Sequence, residues 1–147
     1  MYHKVLVPLD GSEVAECALS QVRNLAKGGF VGEVILLNIV DIPAILLAEH
    51  PRLDLLKDEL FEKSKEYLAG IRAKLSSEGI KVRTEILEGK AALSITEYSK
   101  KNAVDLIVIA THGYTGMKLW LLGSVASRVL HNSHAPVLLV RPESCRT

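Results

Sequence analysis

The sequence predicts one doubly wound α/β domain, a five-stranded, mainly parallel sheet with helices on both faces. Three observations carry that expectation. Short continuous apolar runs recur at Val5-Leu6-Val7, Val34 to Val40, Val104 to Ala110 and Val137 to Val140, and such runs suit strands buried on both faces. Between them the apolar period turns helical; strands alternating with helices imply right-handed crossovers and a parallel sheet. The chain has 147 residues, 48% of them apolar and 24% charged. That is the balance of one globular domain, and a chain of this size buries roughly 68–70% of its unfolded surface, so neither a disulfide nor a metal is needed to hold a core.

The elements follow in order. Pro8 and Asp10-Gly11 stop the first strand. From Ser12, Val14, Ala18, Val22 and Leu25 form a helical stripe, with Ser12 as N-cap and Gly28-Gly29 as the stop. The second strand is Val34 to Val40. Residues 41 to 52, where Pro43 and Pro51 bracket an apolar piece, give no clear period. A long helix then carries Leu53, Leu56, Leu60, Tyr67, Ile71 and Leu75 on one side and ends at Gly79. Ile80, Val82, Thr84 and Ile86 alternate with charged residues, which predicts a strand with one solvated face. Glu88-Gly89 turns the chain into a short helix with Ala92, Ile95 and Tyr98. The fourth strand, Val104 to Ala110, leads into a Gly-rich loop, a helix from about Ser124 to His131, and a last strand, Val137 to Val140, after Pro136.

Composition excludes several classes of function. The net charge of +1 argues against nucleic-acid binding driven by bulk electrostatics. Cys17 and Cys145 lie far apart with no Cys-x-x-Cys spacing, and are expected as free thiols in a reducing compartment. The first residues lack the pattern of a signal peptide, and no apolar run approaches a membrane span; a cytoplasmic protein is expected. Neither Gly-x-x-x-x-Gly-Lys-Ser/Thr nor a Gly-x-Gly-x-x-Gly after the first strand occurs, so a P-loop NTPase and an ordinary dinucleotide dehydrogenase are not expected.

Ligands of open parallel sheets bind beyond the carboxyl ends of the strands, where strand order reverses. Strand one is followed by Pro8-Leu9-Asp10-Gly11-Ser12, and strand four by Ala110-Thr111-His112-Gly113, with a helix opening at Gly123-Ser124. If these strands are neighbours, a carboxylate and a Gly-rich loop face one crevice. Glycines allow close backbone approach, and a helix N-terminus offers unbonded N–H groups and partial positive charge, the ingredients of a phosphate site. A plain turn at Gly113 and Gly116 and a plain helix cap at Ser124 fit the same residues. His112 lies within this loop, in reach of a ligand or of its own backbone.

At this point the chain resembles the universal stress protein family, along essentially its whole length. The resemblance begins with Lys4-Val5-Leu6-Val7-Pro8-Leu9-Asp10-Gly11-Ser12-Glu13 and is strongest from Ile107 to Val140. The ATP-binding subgroup carries Gly-x-x-Gly, nine residues, then Gly-Ser/Thr. Here Ala110-Thr111-His112-Gly113 is followed by residues 114 to 122 and Gly123-Ser124, so the spacing matches and Ala110 stands in place of the first glycine. The resemblance implies a Rossmann-like fold that binds ATP with Mg²⁺ or Mn²⁺. It implies that Pro8 and the backbone near Ile39 and Val40 flank adenine, that Asp10 faces the metal, and that Gly113, Gly123, Ser124 and the N–H of Val125 hold ribose and phosphate oxygens. A lone carboxylate suffices for such an ion, since Mg²⁺ keeps phosphates and waters as its other ligands. The resemblance also implies a nucleotide-dependent sensor or switch in stress response, dimeric through the last strand. That strand, Val137, Leu138, Leu139 and Val140, is an uncharged run at the chain's end, expected at the sheet edge and suited to pairing with a second copy.

No nucleophile–base pair is evident, so at most slow ATP hydrolysis is expected; a nucleotide-free interaction module is the alternative of another class. His131 and His134, three apart, are expected to be structural. Trp120 is expected to pack its loop against the domain or to face a partner, and Lys118 and Arg128, near the loop, fit pairing with phosphate oxygens and plain solvation equally.

Overall fold

A computed structural model describes residues 1–42, 52–111 and 122–142. Its sheet holds β1 (Tyr2–Pro8), β2 (Val31–Val40), β3 (Val82–Glu88), β4 (Leu106–Ala110) and β5 (Val137–Val140) in the order β3-β2-β1-β4-β5, every pairing parallel. The described helices are α1 (Glu13–Glu16), α2 (Ala18–Lys27), α3 (Leu53–Ser77), α4 (Ala91–Lys101) and α5 (Ser124–Asn132). The order reverses between β1 and β4, as the sequence led one to expect.

The continuous apolar strands divide their side chains by the two-residue period of the pleat. Val5, Val7, Val34, Leu36 and Val108 enter one core with Leu19 and Val22 of α2 and Leu68 and Leu75 of α3. Leu6, Ile35, Leu37, Ile107 and Ile109 enter the other, with Ile95 and Tyr98 of α4 and Ala126 and Val129 of α5. Helices on both faces account for strands without a polar side. The same cover changes the reading of β3: Ile86 packs against the first core and Leu87 against the second, so neither face of that strand is simply solvated. Its start also moves from Ile80 to Val82, because the Ile80 N–H is used to close α3 on the Leu75 carbonyl at 3.2 Å.

The helix expected from Ser12 to Gly28 is two helices. At Cys17 the N–H reaches back only to the Val14 carbonyl, 3.1 Å, and the Cys17 carbonyl is taken by the Ser20 hydroxyl at 2.9 Å. The thiol expectation is also corrected. Cys17 is disulfide-bonded, and there is no free cysteine among the described residues. The chain's other cysteine, Cys145, lies outside them. The physical setting is the return of the chain after β5: the Cys17 sulfur is 3.8 Å from the Pro142 carbonyl oxygen, a proximity that separation along the sequence hides.

β1 and β4 are pinned at their amino ends. Asp105 accepts from the His3 and Lys4 N–H groups, both at 2.8 Å, and its own N–H donates to the Lys4 carbonyl at 3.1 Å. Paired register covers only Val5 with Leu106 and Leu6 with Ile107. Beyond that the two strands part, and a cleft opens between their carboxyl ends. No described helix is long and apolar enough to cross a membrane.

Candidate functional site

The cleft has a volume of about 450 Å³ and is lined by Pro8, Asp10 and Ser12 from the end of β1, by Val14 and Ala15 of α1, by Ile109, Ala110 and Thr111 from the end of β4, and by Gly123, Ser124, Val125 and Ala126 from the start of α5. That volume is within the range of small-molecule and cofactor sites.

The turn carrying Asp10 is built locally. Gly11 has φ +90°, a conformation L-residues avoid, and nothing lies within 4 Å of where its Cβ would be, so glycine is required there by backbone conformation rather than by space. This folds Asp10 over Ser12: one carboxylate oxygen, Oδ1, accepts from the Ser12 N–H at 2.9 Å and from the Ser12 hydroxyl at 2.5 Å. Ser12 Oγ in turn accepts from the Ala15 N–H at 3.1 Å and caps α1. No described residue bonds the second oxygen of Asp10, and the side chain belongs to an exposed residue. A carboxylate with one oxygen fixed and the other available suits a hard divalent cation.

The opposite wall is the start of α5. Gly123 is its N-cap, in extended conformation, with no side-chain cap. Ser124 is therefore the first helical residue and not the cap. The N–H groups of Ser124, Val125 and Ala126 make no hydrogen bond among the described residues, as expected for the first turn of an uncapped helix. Unbonded donors at the positive end of a helix dipole are complementary to phosphate oxygens. The described residues here fit the phosphates and the metal that the resemblance implies.

Of the site residues expected from sequence, Pro8, Asp10, Ala110, Gly123, Ser124 and Val125 come together in this cleft. Ala110 ends β4 half-buried, beside Val140 in the register. Ile39 and Val40 do not line it; Ile39 packs against the second core, Val40 is buried, and the Val40 carbonyl accepts from the Gly89 N–H at 3.0 Å. The end of β2 instead reaches a second cleft, also about 450 Å³, through Asp41, which is paired with Lys90 at 3.3 Å. Ser124 and Val125 line both clefts, so the two adjoin across the start of α5. Arg128 lines the second. His112, Gly113, Lys118 and Trp120 lie outside the described residues. Thr111, Ser12 and Ile109 are lining residues that sequence reasoning passed over, although each sits at or just past a strand end. His131 donates from Nδ1 to the Ser127 carbonyl at 2.7 Å, and no group of three or more His, Cys, Asp or Glu suited to a metal occurs among the described residues.

Fold and cleft together define a doubly wound α/β domain with a cleft at the strand-order reversal, where ligands of such sheets bind. Comparison with known proteins gives the family. The family model described as "Universal stress protein family" matches residues 1–141. Universal stress protein MJ0531 of Methanocaldococcus jannaschii is 39% identical over 142 residues, which cover 96% of this chain and 83% of that one. Universal stress protein MJ0577 of the same organism is 35% identical over 156 residues, 96% of each chain, and its solved structure superposes with a TM-score of 0.81 over 96% of each. The solved UspA from Lactobacillus plantarum, 25% identical over 95% of this chain and 98% of that one, gives 0.77. The chain belongs to the universal stress protein family.

Proposed function

We propose that this protein binds ATP with Mg²⁺ or Mn²⁺ and acts as a nucleotide-dependent sensor or switch in the stress response. The observation that carries the reading is one cleft with two complementary walls. Among the described residues, Asp10 offers an unbonded carboxylate oxygen on one side, and α5 offers unbonded N–H groups on the other. Asp10 would hold the divalent ion that accompanies the phosphates, and the N–H groups of Ser124 and Val125 would take phosphate oxygens. Gly113 and His112 join the site by resemblance, with Ile39 and Val40 toward the base through the adjoining cleft. The sequence carries no evident nucleophile–base pair, and turnover is expected far below the 1–10³ s⁻¹ of typical enzymes. The same reading keeps the protein in the cytoplasm.

A homodimer through Val137, Leu138, Leu139 and Val140 is part of this proposal. The two edges of the sheet differ: β3 carries Arg83, Glu85 and Glu88, whereas β5 carries no charge. Charge is a usual protection against edge pairing, so β5 is the edge left fit for a second copy.

Nucleotide-stripped protein tests the reading. Mg–ATP at 100 times its Kd should stabilise the fold by about 2.7 kcal/mol, and sedimentation equilibrium should give twice the 16.1 kDa chain mass. Absence of a thermal shift at millimolar Mg–ATP would favour a nucleotide-free interaction module, and a 16.1 kDa species at tens of micromolar would remove the dimer.

A further inference from the structure

The turn that carries Asp10 is held from beneath by residues that do not line the cleft. Asn38 interrupts the apolar run of β2 and is buried. Its Nδ2 donates to the Leu9 carbonyl at 2.7 Å, and its Oδ1 accepts from the hydroxyl of Ser64, also buried, on α3. The Leu9 N–H is bonded to the Leu37 carbonyl at 2.8 Å, so both backbone polar groups of the residue before Asp10 are tied to β2. Three residues further along α3, on the same helix face, the Tyr67 hydroxyl donates to Glu16 Oε2 at 2.9 Å. α3 therefore holds the Asp10 segment on both sides, at Leu9 through Asn38 and at Glu16 directly. A buried amide among leucines is costly unless satisfied, and here the side chain spends one donor and one acceptor on this linkage.

We propose that Asn38, Ser64 and Tyr67 are positioning residues for Asp10, fixing the turn so that its second carboxylate oxygen faces the cleft and setting the affinity for the nucleotide's metal ion. The inference rests on the reading of the cleft as a metal–nucleotide site. The environment of Tyr67 agrees with a tight contact. Burial chiefly, then its bond to Glu16 and the charges of Glu16 and Asp10, push its hydroxyl well above the ordinary tyrosine value, while the Gly11 N–H acts the other way.

Calorimetric titration separates positioning from general stability. Wild type, Ser64→Ala, Tyr67→Phe and Ser99→Ala are each titrated with Mg–ATP and, without metal, with adenosine. Ser99 is fully buried on α4, where its hydroxyl bonds the Thr96 carbonyl at 3.1 Å, remote from the turn; it reports what loss of a buried hydroxyl does by itself. Ser64→Ala and Tyr67→Phe should each weaken Mg–ATP binding by about 5- to 20-fold, the effect of a coupling of about 1–2 kcal/mol, with adenosine affinity changed less than twofold. Ser99→Ala should leave both affinities unchanged. Equal losses for Mg–ATP and adenosine, no loss in either turn variant, or the same selective loss in Ser99→Ala would overturn the proposal. Wild type that binds Mg–ATP while the variants bind it equally well overturns only the positioning role; wild type that does not bind it overturns the metal–nucleotide reading as well. Tyr67→Phe removes one oxygen atom and keeps the ring, so the test stands on it even where Ser64→Ala does not fold.

Discussion

The two walls of the cleft are built on opposite plans. At the end of β1 the turn is held by its own hydrogen bonds, and among the described residues one carboxylate oxygen of Asp10 is left over. Ser12 caps α1, Asp10 holds Ser12, and Leu9 is tied to β2 through backbone and Asn38. At the start of α5 the cap is a glycine with no side-chain cap, and the first N–H groups make no hydrogen bond among the described residues. One wall carries most of its own partners; the other is left chemically incomplete among the described residues. A helix start on a site wall that is uncapped by side chains spends no stabilisation of its own and is complementary to an anion.

That contrast can be broken most severely at the incomplete wall. Gly123→Val places a branched side chain where a ligand's phosphate would approach the backbone. It should abolish the whole Mg–ATP stabilisation, about 2.7 kcal/mol at 100 times Kd or roughly 5–10 °C in Tm, while the sheet remains folded by circular dichroism. A variant that keeps the full shift would move the phosphates away from α5. Next comes the turn of the complete wall. Gly11→Ala meets no neighbour within 4 Å but must hold φ +90°, so unliganded stability should drop by about 1–2 kcal/mol in urea; no change would mean that the turn relaxes freely.

A smaller pair of substitutions measures the asymmetry directly. Ser12→Ala removes a cap with a bonded acceptor and should cost about 1 kcal/mol of unliganded stability. Ser124→Ala removes a hydroxyl that caps nothing, and should stay within about 0.5 kcal/mol. Equal costs would erase the difference between the two walls.

The smallest effect is at high pH. Tyr67 has its hydroxyl pushed up by burial and by Glu16. Once pH rises past about 10, the unfolded tyrosine loses its proton while the folded one keeps it; the unfolded state then binds fewer protons, and stability falls as pH climbs toward the folded value. Tyr67→Phe should flatten part of that alkaline decline in a series of urea melts. Tyr98, raised by burial and then by Glu85 against the opposing Arg83, leaves a residual slope. An unchanged decline in Tyr67→Phe would assign it elsewhere.

Much of this architecture is legible in sequence because strands buried on both faces leave uninterrupted apolar runs. Val5-Leu6-Val7 and Val104 to Ala110 need no tertiary information to be read, and their being neighbours follows from topology. Asp10, Gly123 and Ser124 are legible because glycine and capping residues mark strand ends and helix starts. What is not legible depends on distance in sequence. Tyr67 reads as one more member of the α3 apolar stripe, and its bond to Glu16 spans 51 residues. Asn38 stands out as a polar residue inside an apolar run, yet its partners, Leu9 and Ser64, lie 29 and 26 residues away. The nearness of the Cys17 sulfur to the Pro142 carbonyl, 125 residues away, is likewise recorded by no local pattern.

The pin at Asp105 has a consequence for the order in which the protein can become functional during synthesis. The bond from His3 to Asp105 joins residues 102 positions apart, and the wall supplied by α5 is made later still. At 5–20 residues per second, the amino-terminal wall waits roughly 5–20 s on the ribosome before the strand that fixes its spacing exists. The cleft is therefore complete only once α5 has been made, and under the proposed ATP binding, nucleotide would stabilise molecules that contain α5 without rescuing shorter chains.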